Sequence, residues 1–272
     1  MEQNLVSLMV SQRLHFDIYG YVLLKNVLVP DEVERMKSAL HRANEDPNLD
    51  VDSHVYIRRN SAHYVLLGNL VEYDSSLLEY AGHPKLVPLV EEVVGGKSRL
   101  EETDAIINSR DPDVDLPELE KHRYNPIAFH RGTKHGWGTY IEQNKFHCLF
   151  VKSLAYLTDV GPDDGGTAFI PGSHRLTWDR SEMIEAAMSD ESLVCQVEAE
   201  AGDVLLFPES LIHSTTAIKS DKERTILIAG YTPTMFQPWP GNEVDPEFVK
   251  TLPDEMRALI SGSESWSWQR KY

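Results

Sequence analysis

Between residues 148 and 231 the chain breaks into four short runs rich in apolar and β-branched residues, at 148–157, 167–170, 203–207 and 225–231. Clusters of Gly, Pro and Asp separate them, as at 161–166, and runs of this length bounded by turn residues read as strands. Their spacing predicts an all-β jelly roll and not an alternating βαβ pattern. Helical signals flank the runs. Residues 4–14 carry apolar side chains at helical spacing, and Tyr21 to Leu24 read as a strand entered through Gly20. Pro30 and Asp31 open a helix with Val33, Met36 and Leu40 on one face. A second helical stretch at 86–94 closes on Gly95 and Gly96, and the tail at 245–260 is helical with a break at Pro253. The expected fold is mainly β with flanking helices, one domain over 1–272 decorated at both ends.

The 272 residues suffice to bury a substantial core. A net charge of −17 sets a field that repels nucleic acid polymers and anionic membrane, so an anionic partner must be met by a local basic patch. Cys148 and Cys195 are too few for a disulfide scaffold and lack metal-site spacing, which points to a reducing cytoplasm. Residues 1–14 lack the basic start and unbroken apolar core of a signal peptide, and no stretch is apolar enough to span a bilayer, so a soluble, unprocessed cytoplasmic protein is expected.

Residues 111–120 hold five acids and two prolines and read as a surface loop. The next fifteen residues, 121–135, reverse the sign: four Lys or Arg, three His and no acid. Within them stands His130. Non-heme Fe(II) oxygenases hold the metal with two His and one carboxylate, the first His and the carboxylate at i and i+2 of an extended segment so that both point the same way. Here the i+2 position is Gly132. Of the 11 histidines only His15 has an acid two residues on, Asp17, but it lies beside the N-terminal helix, far from the other ligand candidate, and reads as structural. That other candidate, His213, follows the 203–207 run and a short loop. Eleven residues later Arg224 opens the next strand, offering a planar fork for a carboxylate.

With these residues the chain resembles the phytanoyl-CoA dioxygenase family of Fe(II)/2-oxoglutarate enzymes. The resemblance rests on residues 19–27 (YGYVLLKNV), 157–174 (LTDVGPDDGGTAFIPGSH) and 201–207 (AGDVLLF), with His213 and Arg224 at matching positions. It implies a double-stranded β-helix, or cupin-type jelly roll, using Fe(II), 2-oxoglutarate and O2. His130 and His213 would hold iron, Arg224 would bind the 5-carboxylate of 2-oxoglutarate, and Thr215 would share that pocket. The turn at Pro171 to His174 is expected to buttress the barrel without touching substrate. Gly132 departs from the family pattern and is similar to the halogenases, in which chloride takes the vacated coordination position. That likeness makes a chlorinating enzyme of natural-product biosynthesis the expected activity. The alternatives are a hydroxylase whose site is completed by water or by an acid from elsewhere, with Glu142 and Asp159 as donors, and a non-catalytic jelly-roll binding protein.

The basic stretch brackets His130, so Arg123, Arg131, Lys134 and His135 are expected at the barrel mouth, gripping a phosphate or carboxylate. Tyr124, Phe129, Trp137 and Tyr140 would stack on a planar ring, and a nucleotide meets both demands. The alternative is that the aromatics are core and the cations solvated. A carrier-bound substrate is disfavoured because an acidic chain repels an acidic carrier. A zinc hydrolase built on His122, His130 and His135 lacks a paired general base.

Overall fold

The computed structural model describes residues 6–263. The chain starts with α1 (Val10–Tyr19), β1 (Val22–Leu24), α2 (Pro30–Glu45), β2 (Tyr56–Ser61), β3 (Tyr64–Gly68), α3 (Ser75–Ala81), α4 (Val87–Val94) and β4 (Ser98–Asn108). It continues through α5 (Leu116–Lys121), β5 (Thr139–Glu142), β6 (Lys145–Cys148), β7 (Val151–Tyr156) and β8 (Thr167–Phe169). The last elements are α6 (Arg180–Ser189), β9 (Cys195–Gln196), β10 (Val204–Pro208), β11 (His213–Thr215), β12 (Arg224–Pro233), α7 (Pro246–Thr251) and α8 (Asp254–Ser261).

The described residues form a seven-stranded sheet in the order β1-β10-β7-β12-β4-β3-β2, a three-stranded sheet β11-β8-β9, and the hairpin β5-β6. All the pairings are antiparallel. This is the jelly roll, with two facing sheets whose inner side chains make one core cluster while a larger one lies between the large sheet and the helices. Phe169 from the small sheet packs edge-on against Phe207 from the large one at 5.1 Å between ring centres. The helices cover the outer face of the large sheet, where Met36 and Leu40 of α2, Tyr80 of α3 and Val90 and Val93 of α4 are buried.

Several sequence expectations shift in detail. The first helix begins at Val10, because Leu8 N–H donates to Glu92 Oε2 at 2.9 Å and Met9 N–H to Gln12 Oε1 at 2.9 Å, which holds the preceding residues outside the helix. Residues 4 and 5 of the expected helix, and the first five residues of the expected unprocessed N-terminus, lie outside the described residues. The acidic loop contains the short helix α5, with Pro117 in its first turn, where a missing N–H costs nothing. No helix of the described residues is long and apolar enough to cross a membrane.

β4 was hidden in the sequence by its charges. Arg99, Glu101, Glu102 and Asp104 interrupt its apolar pattern, yet it lies between β12 and β3. Burial is tolerated because the charges are paired: Arg99 contacts Glu101, and Lys152 of β7 contacts Glu102.

The turn before β10 is held by a buried carboxylate. Asp203 accepts from Asn26 N–H at 3.0 Å, Glu200 N–H at 2.9 Å and Lys25 Nζ at 2.6 Å, clamping the β1–α2 connection to the strand. Asp203→Ala is expected to destabilise the protein by about 2–3 kcal/mol, the scale for hydrogen bonds to a charged group, as measured by urea unfolding.

Candidate active site

His213 is the first residue of β11, at the edge of the small sheet. His130 belongs to no strand, but its backbone pairs with that edge: His130 N–H donates to His213 O and His213 N–H to His130 O, both at 2.9 Å. The bridge sets the two imidazoles side by side, ring centres 4.2 Å apart. In each, Nδ1 faces the carbonyl oxygen two residues back, Ala128 at 2.9 Å for His130 and Leu211 at 2.8 Å for His213. A carbonyl only accepts, so Nδ1 carries the proton and the Nε2 lone pair is left for a metal. His213 is buried, and burial pulls its pKa down to about 4, so it is neutral at pH 7 as a ligand must be.

The turn at Pro171 to His174 secures this edge. Ser173 Oγ accepts from Ile212 N–H at 2.9 Å, Ile170 N–H donates to Ile212 O at 3.0 Å, and His174 is buried edge-on against Phe146. Its residues brace the strand that carries His213.

Arg224 opens β12 with its guanidinium buried, and none of its three nitrogens has a hydrogen-bond partner among the described residues. Its register partner Asn108, which also pairs with Tyr64 of β3, leaves its side-chain oxygen unpartnered as well. Tyr64 and Tyr156 supply the neighbouring hydroxyls. A buried charge without a counter-ion is costly unless a ligand completes it, and a planar carboxylate is the matching group. Thr215, two residues beyond His213 on β11, lines a cavity of about 470 Å³ together with His130, Asn108, Tyr64, His63, His122 and Arg123. The donor set therefore fits both groups the sequence implied: two adjacent imidazoles for a metal and a guanidinium with no hydrogen-bond partner among the described residues for a dicarboxylate.

Gly132 does not face open space. A β-carbon there would collide with Glu209 Oε2, and the Gly132 N–H donates to that oxygen at 2.9 Å. Glu209 is buried, with Oε1 4.0 Å from His213 Nε2 and 3.7 Å from Lys152 Nζ. Burial alone would raise its pKa, but Lys152, both histidines and the Gly132 N–H outweigh that and hold it below the usual carboxylate range. The donors named from sequence lie elsewhere. Asp159 accepts from Ala201 N–H at 2.8 Å, and Glu142 ends β5 and lines a separate cleft with Lys145 and His147. The described residues hold no converged cage of three or more His, Cys, Asp or Glu side chains. Glu209 was missed in the sequence, although a single acid inside the apolar run 204–212 is a signal, since a buried carboxylate must be paired.

The basic stretch disperses. Arg123 lines the cavity and donates to Gln196 Oε1 at 3.0 Å, but Arg131 reaches toward Trp178 O and His135 Nδ1 contacts Thr139 Oγ1. Lys134 is exposed near Asp179. The expected aromatic cradle also separates. Phe129 is core, Tyr140 stacks on His147 and donates to Val94 O, and Trp137 is 67% exposed. His15 lies on α1 against Tyr19 and Tyr21, and Asp17 pairs with Arg13.

The phytanoyl-CoA dioxygenase (PhyH) family profile matches residues 16–226, and the chain belongs to this family of Fe(II)/2-oxoglutarate-dependent enzymes. Among curated proteins it is 28% identical over 121 residues to Dioxygenase FUM3 of Gibberella moniliformis, a match spanning 43% of this chain and only 37% of that protein's length. Among solved structures it is similar to HygX from Streptomyces hygroscopicus with nickel and 2-oxoglutarate bound (TM-score 0.67, 23% identity, 85% of this chain and 90% of that one). It is also similar to the non-heme α-ketoglutarate-dependent carbocyclase SnoK from nogalamycin biosynthesis (TM-score 0.61, 18% identity, 90% and 91%). At these identities the structural likenesses show the fold.

Because the buried guanidinium has no hydrogen-bond partner among the described residues, Arg224→Leu is expected to leave the melting temperature unchanged or raise it when 2-oxoglutarate is absent. A fall of several degrees would mean that Arg224 is already compensated.

Proposed function

We propose that the chain is an Fe(II)- and 2-oxoglutarate-dependent oxygenase that oxidises a C–H bond of a small anionic molecule. The observation that carries this reading is the pairing of two Nε2-free imidazoles with an unpartnered buried Arg224 in the same jelly roll. His130 and His213 would hold the metal, and Arg224 would fix the far carboxylate of 2-oxoglutarate, with Thr215 beside it. Bound there, Fe(II) would supply O2 reduction coupled to decarboxylation of 2-oxoglutarate, one oxygen atom going to succinate and the other to the substrate. The chain's own contribution is positional: the backbone bridge sets the imidazole spacing, the i−2 carbonyls set the tautomers, and burial of Arg224 keeps water from competing for the cosubstrate.

Halogenation is the second reading, favoured by Gly132, and it needs chloride to sit beside the imidazoles. The Glu209 carboxylate stands where that space would be, which supports oxygenation over chlorination. For the substrate, Arg123 on the cavity wall supports an anionic small molecule, whereas His63 and His122 there already face Asp111 and Glu118. HygX has been captured with hygromycin B and SnoK belongs to nogalamycin biosynthesis, which supports a role in the making of such compounds. A nucleotide remains the narrower form of this reading, with Arg123 as its phosphate contact and without the aromatic cradle.

Anaerobic addition of Fe(II) and 2-oxoglutarate to the metal-free protein is expected to give a visible charge-transfer band. The band should be absent from His213→Ala and from Arg224→Leu. In the thermal melt, 2-oxoglutarate at about 100 times its Kd should stabilise the parent by about 2.7 kcal/mol and leave Arg224→Leu unmoved. No band with the parent protein would favour a binding protein over an oxygenase.

A further inference from the structure

Gly132 poses a physical question. Its φ is not in the left-handed region, so glycine is not demanded there by backbone conformation. What excludes a side chain is space, and the occupant of that space is the carboxylate of Glu209. We propose that Glu209 is the third protein ligand of the metal, delivering from the loop before β11 the carboxylate that the family pattern places two residues after the first histidine. This rests on the reading of His130 and His213 as an iron pair.

Three observations bear on it. Glu209 Oε2 receives the Gly132 N–H at 2.9 Å, and Gly132 N–H and Thr133 N–H also donate to Glu209 O at 2.9 and 3.2 Å, so the loop of Glu209 is stitched to the loop of His130. The other oxygen, Oε1, lies 4.0 Å from His213 Nε2. Neighbouring ligands at about 2.1 Å from a metal stand about 3 Å apart, so a closure of about 1 Å brings Glu209 Oε1 into ligand spacing with His213 Nε2. The reach follows from chemistry: Glu has one methylene more than Asp and can enter this space from an adjacent loop.

Lys152 offers Glu209 a competing partner, but its ammonium is already in contact with Glu102 and stands 3.7 Å from Glu209. That spacing makes Lys152 a positioning charge, which keeps Glu209 ionised while leaving its oxygens available to a metal. A coordinated carboxylate also closes the quadrant to chloride by volume and by charge. The two solutions compete: a side chain at 132 would meet the carboxylate of Glu209, so one of the two must give way.

The test is a ligand exchange read by metal affinity. Fe(II) is titrated anaerobically into the full chain by calorimetry, without 2-oxoglutarate, and Co(II) is used in parallel for its ligand-field spectrum. Glu209→Gln, which keeps the shape, should weaken Fe(II) binding at least about 100-fold. Gly132→Asp should weaken it too, by collision with Glu209. The double variant Gly132→Asp with Glu209→Ala should recover binding to within about tenfold of the parent and restore the parent's Co(II) spectrum. In the parent, chloride should leave the charge-transfer band unmoved, whereas in Glu209→Ala it should shift the band. Parent-like affinity in Glu209→Gln, or a chloride-shifted band in the parent, would overturn the assignment and leave Glu209 as the partner of Lys152. A parent with no charge-transfer band would instead overturn the iron reading itself, and circular dichroism of each variant separates lost folding from lost ligation.

Discussion

The pair of backbone hydrogen bonds between His130 and His213 is the constraint on which the site depends. It recruits an irregular basic loop to the edge of the small sheet, and it does so at the two residues proposed to hold the metal. Because opposed residues in an antiparallel pair put their side chains on the same face, one such bridge is enough to set two imidazoles together. Slipping it by one residue would turn one ring away from the other. The anchoring of Ile212 by Ser173 and Ile170 guards against that slip.

Around this bridge the interior holds several buried or half-buried charges. Arg224, Lys152, Glu102 and Glu209 project between the sheets, where unpaired ions are expensive. Three of them compensate one another; Arg224 does not. A guanidinium buried with no hydrogen-bond partner among the described residues costs stability, and under the proposed function that cost is the counterpart of a preformed binding group.

Much of the scaffold was legible in the sequence. The strands at 151–156, 167–169, 204–208 and 224–233 follow their apolar runs, and α2 and α4 follow Pro30 and Gly95, because in each case local pattern and tertiary role agree. β4 was not legible, since its charged residues are accommodated only by partners from distant strands. The hairpin β5-β6 carries no apolar run of its own, and only the pairing of its two short strands makes it visible. For the site, His130, His213 and Arg224 could be named from their types and spacing, but the grip of Arg131, Lys134 and His135 on substrate was inferred from proximity in sequence, and a coiled loop does not keep consecutive side chains on one side.

The sequence by itself determined the class of fold through its local period, and its resemblance to the family pattern marked His130, His213 and Arg224 as candidates and Gly132 as the departure. Only the tertiary structure decided what fills the space beside Gly132. Glu209 lies 77 positions away in the chain and reaches that point through the pairing of two loops. A contact of that kind has no local signature, since it is set by how the sheets and their connections pack.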